Sequence, residues 1–407
     1  MSRLLAPIQQ LPQFEELVQG VSRGKTPFVC VGLSQIHKAQ LTAALRERLG
    51  GPMVLIVPDE PTALRLCEDL RAFLPELPVL YYPAKELMLH EAEASSGEYE
   101  FARLGVLEAL RHDRPVVVAS AEAAMQATIS PDALSRRSLL LKGSFSEGPE
   151  GLIARLLAAG YTRCEQVDGV CTFAVRGGIL DLYSPSAPEP VRVEFWGDDI
   201  DSITYFSPDT QRRGDFADEL MITPAREALA PEEGLQPLLG RCLAAQKKGS
   251  AAAAGLTRLL EQLRAGVAPP SLDRFLPVLY GAPYTLLDHL SGDGLLLLSD
   301  PAAAREALKS VCWQLSQDLT ALLEEGICFS GCDRYVGDVD ELLCAVSDRP
   351  SVILETFSRS IPDLGLRGMV SIQALSLAPW SGELETLLED LRAQLHHEMG
   401  VAVLLPT

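Results

Sequence analysis

Three short apolar runs constrain the fold of this chain more than any other feature of its sequence. They span residues 27–31, 53–57 and 115–119, and each is flanked by segments with the spacing of amphipathic helices. A strand that is apolar on both of its faces needs cover on both faces. Strands of this kind, alternating with amphipathic helices, are typical of a parallel sheet covered by helices. The first third of the chain is therefore predicted to be α/β.

The helix after the second strand can be traced from its own residues. Asp59 is suited to the N-cap position, where its carboxylate accepts a hydrogen bond from the first turn. Leu64, Cys67, Leu70 and Leu74 then recur at intervals of three or four residues. This spacing predicts one apolar stripe that faces the sheet.

A different pattern begins near Ser138 and dominates residues 173–206. Apolar and polar residues alternate there, and Gly and Asp residues mark the turns, which is typical of antiparallel strands. Residues 152–157 favour a helix packed on this sheet. The middle of the chain is therefore predicted to hold an antiparallel α+β domain.

Within this region, residues 191–196 alternate strictly. Since successive side chains in a strand point to opposite faces, they divide into two sets. The apolar set is Val191, Val193 and Phe195, and the other set is Arg192, Glu194 and Trp196. The second set places a cation and a large aromatic ring on one face, a combination enriched where proteins bind each other. Residues 200–206 are predicted to form the returning strand.

Helical and α/β patterns return near Ala225. Residues 235–263 are rich in Ala and Leu and favour helix. Further strands are predicted at residues 294–298 and 352–356, each bounded by polar turns. The chain is predicted to end with a helix at residues 384–397 and a strand at residues 401–405.

The composition excludes several classes of function. A net charge of −20 in 407 residues argues against a general nucleic-acid binder, which needs a basic surface. The N-terminus lacks the pattern of a secretory signal, and no apolar run has the length needed to cross a bilayer. The nine cysteines are scattered without the spacing of a zinc site. Free thiols in a reducing cytoplasm, and no bound metal, are therefore expected.

The segment after the first strand stands where nucleotide-hydrolysing folds carry a phosphate-binding loop. It has a glycine, Gly32, and a lysine, Lys38. However, His37 stands where a second glycine is needed, and Ala39 stands where Ser or Thr would hold magnesium. Lys38 is therefore interpreted as a solvated lysine at a helix start. The loop is predicted to be degenerate, with no catalytic residue and no cofactor.

The strand at residues 294–298 leads to a second position of interest. Ser299 and Asp300 follow it, where an ATPase would carry a pair of carboxylates. Serine does not hold the magnesium shell as a carboxylate does. Asp300 is instead expected to cap the helix that follows.

Several segments resemble bacterial transcription-repair coupling factors (Mfd). The strongest likeness is to the second domain of that family, to which a domain of the excision-repair protein UvrB is related, and it covers residues 175–185, 191–203 and 209–213. The flanking likeness is carried by residues 82–87, 275–280, 285–288 and 298–301. The degenerate phosphate loop favours the coupling factors, because UvrB keeps an intact loop.

The resemblance implies a division into three segments. Residues 1–136 and 228–407 are implied to be the two parts of a degenerate P-loop NTPase-like α/β domain. Residues 137–227 are implied to be an inserted antiparallel domain like UvrB domain 2. It also implies that a polymerase-binding domain and an ATP-driven motor follow residue 407. The chain is therefore expected to be a fragment or a partial reading frame.

The resemblance further implies a function. In that family this module is the part that recruits UvrA to RNA polymerase stalled at a DNA lesion. The residues implied to contact UvrA are Arg176, Arg192 and Trp196. A tryptophan stands where phenylalanine is usual, and it keeps a flat apolar anchor. RNA polymerase and DNA would be contacted through the absent domains, and a cytoplasmic location is expected.

Alternatives are open at this point. On the residues alone, the favoured interpretation is that Arg192 and Glu194 form a surface ion pair and that Trp196 packs under a loop. The rival function is that of a UvrB-like ATP-binding subunit of the excision-repair system, with Lys38 in an unusual loop. Direct DNA binding is the third alternative, and the net charge disfavours it.

Overall fold

A computed structural model describes residues 4–87, 97–267, 269, 271–358, 364–373, 382 and 384–397. Residues 1–372 form one compact unit and residues 373–407 form a second. The described strands, all in the first unit, are β1 (Phe28–Val31), β2 (Met53–Val57), β3 (Val79–Tyr82), β4 (Val116–Ser120), β5 (Leu139–Lys142), β6 (Thr162–Arg163), β7 (Thr172–Arg176), β8 (Ile179–Leu182), β9 (Val191–Trp196), β10 (Asp199–Phe206), β11 (Arg213–Phe216), β12 (Glu219–Ile222), β13 (Leu295–Ser299), β14 (Ser351–Glu355) and β15 (Gly368–Ser371).

The helices of the described residues connect and cover these strands. Those of the first unit are α1 (Ala6–Gln9), α2 (Pro12–Ser22), α3 (Gln35–Leu49), α4 (Glu60–Phe73), α5 (Glu98–His112), α6 (Ala121–Met125), α7 (Pro131–Arg137), α8 (Gly148–Ala158), α9 (Leu235–Ala245), α10 (Ala251–Arg264), α11 (Leu276–Leu279), α12 (Pro301–Glu324) and α13 (Val339–Asp348). Helix α14 (Leu384–His396) lies in the second unit. Short 3-10 helices occur at Asp273–Phe275 and Leu286–His289.

The larger sheet is parallel throughout. Its described strands have the order β15-β1-β14-β13-β2-β4-β3. Strands β13 and β14, from late in the chain, lie between β1 and β2, from its beginning. The early and late α/β segments therefore build one sheet, and the predicted fold class is confirmed.

The two faces of this sheet are both buried, which explains the uninterrupted apolar runs. In β2, Val54 and Ile56 belong to the core on one face. Met53, Leu55 and Val57 belong to the core on the other face. A strand between two helical layers has no solvent-facing position, so its sequence has no polar alternation.

Helix α4 begins as predicted, but its buried stripe differs in one residue. The Asp59 carboxylate accepts a hydrogen bond of 2.8 Å from the Thr62 amide. Leu64 is 47% exposed, so its assignment to the stripe is wrong. The buried set begins at Ala63 and follows the i, i+3, i+4, i+7 spacing of one helix face, and Leu64 lies about 100° around the helix from Ala63. The buried residues of the helix are Ala63, Leu66, Cys67 and Leu70.

The middle of the chain forms two smaller sheets. One has the order β11-β10-β9-β8-β7-β6, antiparallel except for the β6–β7 pair, and the other pairs β12 with β5. Helix α8 contributes Leu152 and Leu156 to the core beneath the first of these sheets. The predicted antiparallel region is therefore confirmed. The boundaries proposed at residues 136 and 227 stay predictions.

The later elements also follow the sequence, with one interruption. The segment from 235 to 263 forms two helices rather than one, because the Ser250 hydroxyl accepts from the Ala253 amide and starts α10. The strands expected near residues 295 and 352 are β13 and β14, and the terminal helix is α14. The strand predicted at 401–405 lies outside the described residues. None of the helices described is long and apolar enough to cross a membrane.

Candidate functional site

Strand β9 divides its side chains between a core and an open face, as its alternation predicts. Val191 and Val193 are fully buried in the core that α8 covers. Trp196, at the end of the strand, is 84% exposed. The chain then turns back through Gly197, whose φ of +65° suits the left-handed region that glycine tolerates. Trp196 therefore stands at a hairpin tip on the face away from the core.

Arg192 is held in place by a buried acid. Asp181 lies directly opposite it on β8. The Arg192 Nε and Nη2 atoms donate to the two Asp181 carboxylate oxygens at 2.7 and 2.8 Å. This pair raises the pKa of the Arg192 guanidinium, and the guanidinium also lies 4.9 Å from the centre of the Phe206 ring. Arg192 is therefore half-buried and pre-positioned rather than freely mobile.

The predicted surface pair between Arg192 and Glu194 is wrong. Glu194 forms its ion pair with Arg213 and accepts a hydrogen bond of 3.2 Å from the Ser202 hydroxyl. Side chains directly opposite on neighbouring strands are closer than residues two apart along one strand, so Arg192 pairs with Asp181 instead. The alternative that Trp196 packs under a loop is also wrong, since its side chain is exposed.

Arg176 lies on the same face as these residues. It pairs with Ile179 on β8, and Ile179 pairs with Glu194 on β9, so the three positions form one row across the sheet. The Arg176 side chain is exposed, and its Nη2 atom donates to the Glu165 carbonyl oxygen at 2.8 Å. The structure thus brings Arg176, Arg192 and Trp196 to one face, which we call the outer face, and a small buried cluster of Val167, Ala174 and Phe206 lies on it beside Arg192.

One prominent residue of the outer face has no counterpart in the sequence predictions. Phe216, at the end of β11, is 79% exposed. It pairs with Thr204 on β10, which in turn pairs with Arg192 on β9. All four residues of β11 are exposed, so the strand has no apolar alternation by which to recognise it.

The loop after β1 does not form a cradle of free amides. The Gly32 and Leu33 amides donate to the Glu355 carbonyl oxygen, at 3.1 and 3.3 Å. Gly32 has a φ of +92°, and a Cβ atom there would lie 2.1 Å from the Ile372 carbonyl oxygen. The loop glycine therefore permits a close approach of Ile372, the residue after β15, rather than of a phosphate group.

Lys38 is not the solvated lysine that the sequence suggests. Its side chain is only 3% exposed, and its Nζ atom lies 2.5 Å from Asp300 and 3.1 Å from the Ser299 hydroxyl. The Asp300 side chain makes no cap hydrogen bond with α12, so that prediction is wrong as well. Both predictions fail for the same physical reason. The buried Lys38 ammonium needs a counter-charge, and the Asp300 carboxylate supplies it instead of capping α12.

A second buried ion cluster lies where the chain leaves the middle region, and the sequence did not predict it. The Glu227 carboxylate forms ion pairs with Arg103, whose Nε atom lies 2.7 Å away, and with Lys85, whose Nζ atom lies 2.5 Å away. Nearby, the Glu100 carboxylate forms an ion pair with Arg226, whose Nη1 atom lies 3.0 Å away. Burial by itself would raise the pKa of Glu227, but Arg103 and Lys85 outweigh it and lower that pKa to about 2.

The cysteines are a further group for which the sequence makes a prediction. All nine cysteines are free thiols, and Cys328 and Cys332 are both buried. The Cys328 thiol donates to the Cys332 carbonyl oxygen at 2.9 Å. Within the described residues, no group of three or more His, Cys, Asp or Glu side chains is arranged to hold a metal ion.

The middle region of this chain matches a known domain family, and nearly the whole chain aligns with known proteins. Residues 145–227 match the UvrB interaction domain family. The transcription-repair-coupling factor of Bacillus subtilis (strain 168) is 26% identical over 403 residues, which is 96% of this chain and 34% of that protein. The Mycobacterium tuberculosis counterpart is 29% identical over 308 residues, 72% of this chain and 24% of that protein.

A second group of relatives is named for the excision-repair system. UvrABC system protein B of Thermotoga maritima is 28% identical over 244 residues, which is 56% of this chain and 37% of that protein. The chain thus spans between about a quarter and a little over a third of the length of these curated relatives. The resemblance to transcription-repair coupling factors is confirmed, and the matched interaction domain contains Arg176, Arg192, Trp196 and Phe216.

Proposed function

We propose, from the likeness to transcription-repair-coupling factors and the matched UvrB interaction domain, that this chain is a docking module of excision repair. It recruits UvrA to sites of stalled RNA polymerase and performs no catalysis itself. It acts in the cytoplasm, where the thiols stay reduced. In this proposal, motor activity and contacts with RNA polymerase and DNA are not functions of the residues of this chain.

The observation that carries this proposal is the exposure of Trp196 within the matched domain. A tryptophan that presents 84% of its surface to water gains little from the fold of its own chain. Buried in a partner's pocket, such a ring is the kind of anchor that carries most of a binding energy. Trp196 therefore supplies the apolar contact with UvrA.

The two arginines supply the polar part of the contact. Arg192 is oriented by Asp181, so little side-chain freedom is lost when it meets a partner. Arg176 is exposed and donates to the Glu165 carbonyl oxygen, which leaves its guanidinium accessible to an acidic group. Both side chains make charge-assisted hydrogen bonds with carboxylates of UvrA in this proposal.

A binding titration between this chain and purified UvrA tests the proposal. Trp196→Ala is the primary variant, because its exposed side chain can be removed without loss of fold stability. We expect a loss of about 2 kcal/mol or more of binding free energy, or roughly 30-fold in Kd. Arg176→Ala is the second variant, and Trp313→Ala, an exposed tryptophan on α12, is the matched control.

The arginine at position 192 needs a different variant. Arg192→Ala would leave Asp181 buried without its partner, so a triple alanine variant mixes unfolding with loss of binding. The pair Arg192→Gln with Asp181→Asn removes both charges together. UvrA binding by Trp196→Ala and Arg176→Ala with wild-type affinity would contradict the proposal.

The rival function makes a distinct prediction at the loop after β1. ATP binding requires Lys38 to leave Asp300 and requires amides that now donate to Glu355. Equilibrium binding of ATP by the wild-type chain, lost in Lys38→Met, would support a UvrB-like ATP-binding subunit. We expect no measurable binding in either protein.

A further inference from the structure

Phe216 presents an aromatic ring to solvent from an open sheet edge. Strand β11 is the outermost strand on one side of the six-stranded sheet, and each of its residues is exposed. Phe216 and Trp196 are, at 79% and 84%, the two most exposed large apolar side chains of the described residues. Both belong to the matched interaction domain.

The strand register places both rings on the outer face. Phe216 is opposite Thr204, and Thr204 is opposite Arg192. Side chains directly opposite on paired strands point to the same side of the sheet. Trp196 follows Arg192 by four positions on β9, so it points to that side as well. No other element of the described chain covers either ring, as their exposure shows.

The spacing of the two rings fits a single interface. Strand β10 lies between the strands that carry the two rings. Trp196 on β9 is opposite Asp199 of β10, and Phe216 on β11 is opposite Thr204 of β10. The two rings are therefore separated by five residues in the strand direction and by two strand spacings across the sheet. A rise of about 3.3 Å per residue and a strand spacing of about 4.8 Å place their Cα atoms roughly 15–20 Å apart. A partner footprint of about 800 Å² is roughly 30 Å across and spans both.

The strip between the rings carries an ion pair on the outer face. Glu194 is paired with Arg213 and also accepts from the Ser202 hydroxyl. The Glu194–Arg213 pair brings no net charge to a partner that covers it, so it contributes modest energy and favours contact by hydrogen bonds. The apolar binding energy is then left to the rings on either side, in the manner of anchors within a polar surround.

We infer that Phe216 is a second aromatic anchor for the partner that Trp196 contacts. This inference rests on the proposed function, so the partner is UvrA. The surface of UvrA that docks here then contains two separate apolar pockets, one for each ring. Between the pockets it presents polar groups that form hydrogen bonds with the Glu194–Arg213 pair.

Titration of UvrA with four forms of the chain tests the inference. These are wild type, Phe216→Ala, Trp196→Ala and the double variant. We expect Phe216→Ala to weaken Kd by at least about 10-fold, and Phe216→Leu to restore part of that loss because it returns apolar area. Phe357→Ala is the matched control, because Phe357 is 67% exposed but follows β14 of the parallel sheet, and its Kd should equal that of wild type.

The double variant and the fold controls separate the possible outcomes. Since the rings do not touch, their losses should multiply, so that the double variant shows the product of the two single effects. Thermal melts should be unchanged for every variant, and Phe216→Gln replaces Phe216→Ala if the latter melts early. Wild-type affinity in the Phe216 variants alongside weak binding by Trp196→Ala would overturn this inference alone. Failure of the wild-type chain to bind UvrA would overturn the proposed function with it.

Discussion

Both of the main sheets are flanked by cationic side chains, but they hold those charges in opposite ways. Around the parallel sheet, Lys38 and Arg103 are buried, and each is matched by a carboxylate within 2.7 Å. On the outer face of the six-stranded sheet, Arg176 and Trp196 are exposed, whereas Arg192 is the exception, because it is paired with the buried Asp181 at 2.7 Å. The buried ion pairs around the parallel sheet stabilise the fold, whereas the exposed side chains of the outer face are available to bind a partner.

This contrast separates what substitutions should do. A buried ion left without its partner carries a large desolvation cost, so variants of the first region should lower stability. An exposed side chain contributes little to its own fold, so variants of the exposed Arg176 and Trp196 should change binding and leave stability alone, unlike variants of Arg192. Four measurements, from the largest expected effect to the smallest, can break or sharpen the contrast.

The largest effect is expected at the Arg103–Glu227 pair. Arg103→Ala removes one of the two cations that compensate Glu227 in a fully buried position. Denaturant unfolding should show a loss of about 3–5 kcal/mol. The matched control is Arg136→Ala, whose ion pair with Asp132 is solvent-exposed, and it should cost less than about 1 kcal/mol. Equal losses in the two variants would erase the distinction between buried and exposed charges.

The acid limb of the stability profile should depend on Glu227. Its pKa in the folded chain is lowered from 4.5 to about 2, so its stabilisation is complete above pH 4.5. That contribution, about 3 kcal/mol, is lost as the pH falls from 4.5 towards 2. Glu100 acts in the opposite sense, because burial raises its pKa. Unfolding free energies of wild type and Glu227→Gln, measured between pH 6 and pH 3, should converge towards low pH.

The two partners of the Lys38–Asp300 pair should not be equivalent. Lys38 is almost fully enclosed, while Asp300 keeps 35% of its side chain exposed. Asp300→Ala leaves a buried ammonium and should cost about 3 kcal/mol, whereas Lys38→Met leaves a carboxylate that water can reach and should cost about half as much. Thermal and urea unfolding of both variants measure this. A larger loss in Lys38→Met would reverse the assignment of which charge is the buried one.

The smallest effect on stability is expected on the outer face. Trp196→Ala should change the unfolding free energy by less than about 0.5 kcal/mol, although the same variant should weaken UvrA binding strongly. Urea unfolding of wild type and variant side by side measures the difference. A loss of more than about 1 kcal/mol would mean that Trp196 supports the fold, and the contrast between the two regions would fail.

The strands could be predicted from the sequence, because burial of one or both faces of a strand produces a characteristic pattern of apolar residues along it. Val54 and its neighbours are apolar without interruption since both faces of β2 are covered. Val191 and Val193 alternate with polar residues since only one face of β9 is covered. Leu64 was misplaced because a helical stripe can be drawn through several sets of apolar residues, and only the packed helix selects one.

The pairing of charges was not predictable in the same way. Lys38 and Asp300 are 262 residues apart in the chain, and Arg103 and Glu227 are 124 apart. Arg192 and Asp181 are closer in sequence, but their contact depends on the register between β8 and β9. Phe216 was missed for a related reason, because an exposed edge strand has no buried face to reveal it.

The chain by itself therefore determined which residues are apolar, where strands and helices alternate, and which face of β9 carries Arg192 and Trp196. Hydrophobic burial acts through local period and composition, so it can be recognised along one strand or helix. The tertiary structure decided which charges are neutralised and which rings stay exposed. Those outcomes depend on distances between residues remote in sequence, and electrostatic and contact energies depend on distance and burial rather than on order along the chain.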